Sequence, residues 1–481
     1  MDSVQTKTFL SLLPRIPLVL RVALLHVLRL SKQSRYVDLR TALTIAVIRS
    51  FIKTSQPRSI SSTQRLFLGD PGVKGRIWVS RYTAPVPPDD AHGGVRDVLG
   101  RAIQALGGHD GSRAGFHVPE LAPVEAEWTG YRPGVARNSA LEVTSDKDTF
   151  DRMMQDCASG GPTVLYLHGG AYWLMDPATH RPTCKRLAKM TGGRCYSVRY
   201  RLAPKHAFPS ALMDALVSYL TLLYPPPEAF HQPVEARSIV FAGDSAGGNL
   251  CLALLQTILE IRRQRLRIGW HGGDRDVPLP GGVAVSSPWM DMTSALPSCT
   301  RNGPFDYLPA MSGAGAYELN LRLPVCELWP TQPPRASLYA DDELLCHPLV
   351  TPLLARSWRG APPVYLSTGW ELLADEDKYT AARLYRDGVA VRFEEYEGMP
   401  HCFAMIFTDL AESRRAFRGW AGFIRDVVRE PAKMQSGFVM VKAKTLEEVE
   451  LDPAALSPYT EADVEKMVAE VVKEGVSLAR L

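Results

Sequence analysis

No CxxC pair occurs in this chain. Its eight cysteines, at 157, 184, 195, 251, 299, 326, 346 and 402, follow neither a disulfide framework nor a zinc-ligand spacing. That pattern argues against a disulfide-stapled secreted scaffold and suits a reducing, intracellular, cytoplasmic setting. Charge of one sign is also scarce. The 55 Lys and Arg against 51 Asp and Glu leave +4 over 481 residues, too little for a nucleic-acid binder. No GxGxxG or GK[ST] loop is present to cradle a nucleotide, and no internal repeat is visible. No uncharged apolar run reaches the roughly 20 residues that a membrane span needs. What remains, 46% hydrophobic and 22% charged, is an ordinary globular balance.

The average charge hides an asymmetry. Residues 1–60 carry ten basic side chains, from Lys7 to Arg58, against Asp2 and Asp38 alone. The same stretch is strongly apolar over Ile16–Leu30 and Leu39–Ile52. Arg21, His26 and Arg29 interrupt the first run, and Pro14 and Pro17 make it a poor secretory signal. Two readings remain: helices packing over the protein's own core, or a cationic pair lying on a membrane surface.

Two Pro- and Gly-rich stretches, starting at Thr83 and Gly107, read as linkers. Short apolar runs then recur at 163–167, 194–200, 238–242, 282–286, 363–367 and 391–396, with helical patterns such as 211–223 and 249–263 between them. Strands alternating with helices predict an α/β fold, a mostly parallel sheet flanked by helices. The tail ends in a capping-box pattern at Thr460–Asp463 and an apolar face at Val464, Met467, Val468 and Val471, with Gly475 expected as the stop.

The strand at 238–242 runs into Gly243-Asp-Ser-Ala-Gly-Gly248, a G-x-S-x-G in a strand–turn–helix context. Small residues on both sides let the backbone turn and expose the Ser245 hydroxyl, with a helix N-terminus beneath it. His168-Gly-Gly-Ala-Tyr-Trp173 follows an earlier strand. Its loop N–H groups, with that of Ala246, can serve a tetrahedral oxyanion. Downstream, Glu397-Gly-Met-Pro-His401 places a histidine on a loop after a strand, completing the chain order Ser, acid, His.

HGGAYW, YRLAPKHAFPSALMDA, GDSAGG, HPLVTPLLA and GMPHCF, in this order from about 117 to 430, resemble the hormone-sensitive-lipase branch of the α/β-hydrolases (α/β-hydrolase fold-3 esterases). The resemblance implies an α/β-hydrolase fold with an eight-stranded core and a helical cap, and carboxylic-ester hydrolysis with no cofactor and no metal. It implies Ser245 as nucleophile, His401 as base, and Gly169, Gly170, Ala171 and Ala246 as oxyanion-hole residues behind the motif residue His168. In the segment Gly369–Asp377, Glu371 falls under the family's catalytic acid; Asp375 is the alternative, otherwise expected to cap the following helix. Two departures stand out. Ala171 replaces the family's third glycine, and Lys205 stands where a glutamate is usual.

The expected organisation is an N-terminal cap or membrane-contact segment with linker at 1–115, a core at 116–430 with a cap insertion at about 295–346, and a C-terminal extension with a docking helix at 431–481. The apolar faces at 18–30 and 39–52 are expected to bury against the pocket rim, their arginines turned to solvent or anionic lipid. The partner is a small-molecule ester, with peripheral membrane contact through residues 1–60 and an undetermined oligomeric state. Amide or formamide hydrolysis, acyl transfer with the same triad, and a non-catalytic small-molecule binder on the same fold stay open at this stage.

Overall fold

The computed structural model describes residues 13–53, 57–87, 93–107, 115–141, 144–310, 315 and 320–479. One sheet carries the molecule. Its strands in chain order are β1 (Ile77–Ala84), β2 (Val124–Tyr131), β3 (Thr163–Leu167), β4 (Arg194–Arg199), β5 (Ile239–Asp244), β6 (Gly282–Ser286), β7 (Val364–Gly369), β8 (Val391–Tyr396), β9 (Gly437–Val441) and β10 (Glu448–Glu450). They lie side by side as β1-β2-β4-β3-β5-β6-β7-β8-β9-β10. From β4 through β9 every neighbouring pair is parallel. β1–β2, β2–β4 and β9–β10 are antiparallel. Strands buried on both faces need continuous apolar runs, and TVLYL of β3 and GVAVS of β6 are wholly buried.

The eight expected core strands are β1 to β8, and the C-terminal extension adds β9 and β10 at one edge to make ten. Charge masks β2: Glu127 is fully buried in the strand, held at 2.5 and 2.7 Å by the Arg181 guanidinium. β1 takes in Thr83 and Ala84, which the proline-rich text had assigned to a linker. Gly475 does not stop the last helix, which runs Glu461–Ala479; one interior glycine costs only about 1 kcal/mol. Its capping box does form, with Thr460 and Asp463 exchanging backbone and side-chain bonds at 2.9 and 3.2 Å.

Three helices precede the sheet: α1 (Ile16–Val27), α2 (Leu39–Ile52) and α3 (Ile60–Phe67). α3 meets the 320–338 segment, where Ile60, Trp329 and Leu338 form a small buried cluster and Ser61 bonds Glu327 at 3.1 Å. α2 buries Thr41, Ala42 and Ile45. The expectation that the 18–30 face is covered fails on its outer side. α1 has no buried residue, and Leu20, Leu24 and Val27 are 65%, 60% and 69% exposed. The reason is width: α1 is apolar nearly all round, and α2 covers only the side bearing Leu18 and Val22. No described helix is long and apolar enough to cross a membrane.

Candidate active site

β5 delivers Ser245 at its C-terminal end, where the chain reverses into the helix Ala246–Arg263. Ser245 adopts φ 52°, ψ −123°, a conformation that side chains other than glycine's rarely accept, and its hydroxyl makes no helix-capping bond. The turn is held on both sides: Ser245 N–H donates to Ser286 O at 3.2 Å, and Trp289 N–H donates to Ser245 O at 2.9 Å. Gly247 lets the helix seat directly on β3, since a Cβ there would lie 2.0 Å from Leu167 O. The elbow is strained, and packing keeps it so.

The His168 loop leaves β3 beside this elbow. His168 is fully buried, and burial pushes its imidazole down to about 3, so the ring is neutral. Nδ1–H donates to Gly169 O at 2.7 Å, and the ring stacks on Tyr200 at 4.2 Å. Because the peptide is planar and trans, a Gly169 carbonyl drawn to the ring turns the Gly170 N–H the other way. Gly169 N–H donates to Asp244 Oδ1 at 3.3 Å. Among the described residues, the N–H groups of Gly170, Ala171 and Ala246 have no protein acceptor. Gly170 sits at φ 107°, where a Cβ would strike Leu174 O, and Ala171 at φ 52°. Lys205 is exposed and lies outside this arrangement.

His401 follows β8, and its Nδ1 is hydrogen-bonded to Glu371 Oε2. Both residues are buried. The other carboxylate oxygen, Oε1, accepts from Ser287 Oγ at 2.6 Å and from Thr368 Oγ1 and Gly369 N at 3.1 Å each. Burial would raise the Glu371 carboxyl, yet His401 and these donors outweigh it and hold it below its ordinary value. Burial likewise opposes charge on His401, and the Glu371 carboxylate outweighs it, raising the imidazole well above 6.5. His401 Nε2 faces Cys402 Sγ at 3.4 Å, and burial pushes that thiol up to about 12, leaving it neutral.

Asp375 is not with His401. Its carboxylate accepts from Ser298 N at 3.0 Å, Arg301 Nη2 at 2.5 Å and Tyr459 Oη at 3.2 Å. Nor does it cap its helix, whose N-cap is Leu373 with no side-chain bond. Asp375 ties the insertion and the C-terminal extension to the core.

Two contributors escaped the sequence reading. Ser287, at φ 49°, donates to Glu371 while accepting Cys402 N–H at 3.1 Å, so one hydroxyl bridges the acid and base loops. A polar pair closing the GVAVSS strand was the available signal. Asp306, fully buried, accepts from Leu372 N at 2.9 Å and His401 N at 3.4 Å. Nothing local in the sequence marks it. No cluster of three or more His, Cys, Asp or Glu among the described residues is arranged to hold a metal ion.

Ser245, on a strand–helix turn, and His401, its imidazole bonded to a carboxylate, both follow C-terminal ends of parallel strands in one sheet, as in an α/β-hydrolase. A family model described as alpha/beta hydrolase fold matches residues 164–318 and 326–405. The chain is 30% identical over 267 residues to esterase LipU of Mycobacterium tuberculosis, covering 55% of this chain and 77% of that protein. It is 29% identical over 274 residues to an acetyl-hydrolase of Streptomyces hygroscopicus, covering 57% and 78%. The solved structure of an esterase from the bacterial hormone-sensitive lipase family shares the fold, with TM-score 0.54 and 23% identity over 82% of this chain and 99% of that one. The chain belongs to the α/β-hydrolase fold family, and it is a carboxylic-ester hydrolase.

Proposed function

We propose that the chain hydrolyses carboxylic esters of small or medium-sized hydrophobic substrates through an acyl-enzyme on Ser245. With Nδ1–H given to Glu371, His401 keeps the Nε2 lone pair for the serine proton. Ser245 Oγ attacks the ester carbonyl, the proton passes to Nε2, and Glu371 steadies the imidazolium. The N–H groups of Gly170, Ala171 and Ala246 receive the oxyanion. Gly169, expected among them, instead spends its N–H on Asp244 and supports the loop. His401 then protonates the departing alcohol, and water, deprotonated by His401, releases the acid.

The observation that carries this reading is the bond between His401 Nδ1 and a buried Glu371 carboxylate that has no competing cation. The acetyl-hydrolase relative supports small acyl groups among the substrates. A chain-length series of p-nitrophenyl esters, with Ser245→Ala as the blank, tests both parts. Turnover should fall by about 10⁴-fold or more in the variant. A fluorophosphonate should label the wild type once and the variant not at all; a labelled Ser245→Ala protein would sink the assignment.

A further inference from the structure

The first described helix presents a face that is exposed among the described residues. Ile16, Leu20, Leu24, Val27 and Leu28 recur at steps of four, four, three and one, which places them on one stripe of α1. All five are exposed, Ile16 by 48% and Leu28 by 56%, and Leu30 beyond the helix end is 70% exposed. Such contiguous apolar exposure marks an interaction surface rather than ordinary scatter. The charges around it have one sign. Arg21, Arg29, Lys32, Arg35, Arg40 and Lys53 are exposed, and none forms an ion pair among the described residues. The sole acid between residues 13 and 53 is Asp38, and it is occupied in capping α2 through Thr41 N–H at 2.7 Å.

We propose that this face docks on an anionic lipid surface, with α1 lying in the interface and its leucines entering the acyl boundary. The proposal goes beyond the ester chemistry and does not depend on it. Length excludes a span: α1 has 12 residues, about 18 Å at the usual rise, against about 30 Å of hydrocarbon. An apolar stripe with a basic border is the pattern of a helix that lies on a membrane. A second copy is a poor occupant, because a twofold contact would bring these cations against their own counterparts with no acid to answer them. Anionic headgroups answer all of them, at roughly fivefold in affinity for each cation near the surface.

Co-sedimentation of the full chain with phosphatidylcholine vesicles, with and without phosphatidylserine, tests the proposal. Binding should require phosphatidylserine, weaken as salt rises, and drop by at least about tenfold in Leu20→Glu/Leu24→Glu, since each buried leucine side chain is worth about that factor. Arg21→Glu/Arg29→Glu should lose it comparably. Both pairs lie on exposed positions, so turnover of soluble p-nitrophenyl acetate should stay unchanged and report intact folding. Failure of the full chain to bind phosphatidylserine vesicles overturns the proposal, as does equal binding by the glutamate variants. A dimer that Leu20→Glu/Leu24→Glu converts to monomer, without vesicle binding, assigns the face to a second copy instead.

Discussion

Arg49 of α2 places its guanidinium on the main-chain carbonyl of Asp306, with Nε at 2.9 Å, while Nη2 reaches Gly303 O at 2.7 Å. The Asp306 carboxylate in turn holds the N–H groups of His401 and Leu372, the latter directly after Glu371. One residue of the N-terminal segment thereby fixes a loop on which His401 and Glu371 both rest. That segment is built into the site from behind.

Arg49→Ala should therefore lower kcat/KM by roughly 10- to 100-fold, the scale of a small misplacement of catalytic groups. Arg49 touches no reacting atom, so its role is positioning. The readout is the pH profile together with the rate: if only stability suffers, the folded fraction will show the wild-type rate and the wild-type acid limb.

The two acids should separate cleanly. Glu371→Gln removes the charge that orients His401 and should cost about 10³–10⁴-fold in kcat. Asp375→Asn breaks the ties to Arg301, Ser298 and Tyr459 and should cost on the order of 1–3 kcal/mol in stability with kcat nearly intact. Kinetics on folded proteins, beside urea denaturation, decide it; the reverse ranking would return Asp375 to the site.

The proposed base is neutral His401, and its imidazole is raised well above 6.5. Activity should thus be lost as pH falls through that raised value, giving an acid limb in kcat/KM above 6.5. Glu371→Gln removes the raising charge and should move the limb to lower pH. A wild-type limb below 6.5 would contradict the buried ion-pair geometry.

Ser287 offers a sharper test of the loop architecture. Ser287→Ala leaves Glu371 Oε1 and Cys402 N–H each without one partner in a buried place. A loss of about 1–3 kcal/mol in stability is expected, with kcat falling and KM little changed. Ser287→Thr, which keeps the hydroxyl, should recover part of the rate.

The proposed nucleophile, base and acid stand out in the sequence because each lies in a local pattern: a strand meeting G-x-S-x-G, and a loop histidine 30 residues beyond Glu371. The central parallel strands were legible for the same reason, being continuous apolar runs. β1 and β2 were not, since an antiparallel pair carrying Glu125, Glu127 and Arg81 looks polar until Arg181 supplies the partner for Glu127. Asp306 and Arg49 were invisible because their roles exist only across contacts 66 to 257 residues apart. The open stripe on α1 was misread because amphipathicity says which face is apolar, not what covers it.

The same N-terminal segment makes a second contact behind the site, and it can be tested by space alone. Tyr36 packs edge-on against Trp370 at 4.9 Å and Phe305 at 5.6 Å, the first directly before Glu371. Gly398, three residues before His401, has no room for a side chain: a Cβ there would lie 2.4 Å from Tyr36 Cβ, and its φ is 72°. Gly398→Ala must therefore strain its own backbone and push Tyr36 away. The first cost is independent of Tyr36; the second vanishes when Tyr36 is replaced by glycine, which removes the opposing Cβ. The destabilisation from Gly398→Ala should be smaller in a Tyr36→Gly background than in the wild type, by about 1 kcal/mol or more. A denaturant double-mutant cycle measures that difference. Additive costs would mean that the N-terminal segment does not press on the base loop at Gly398.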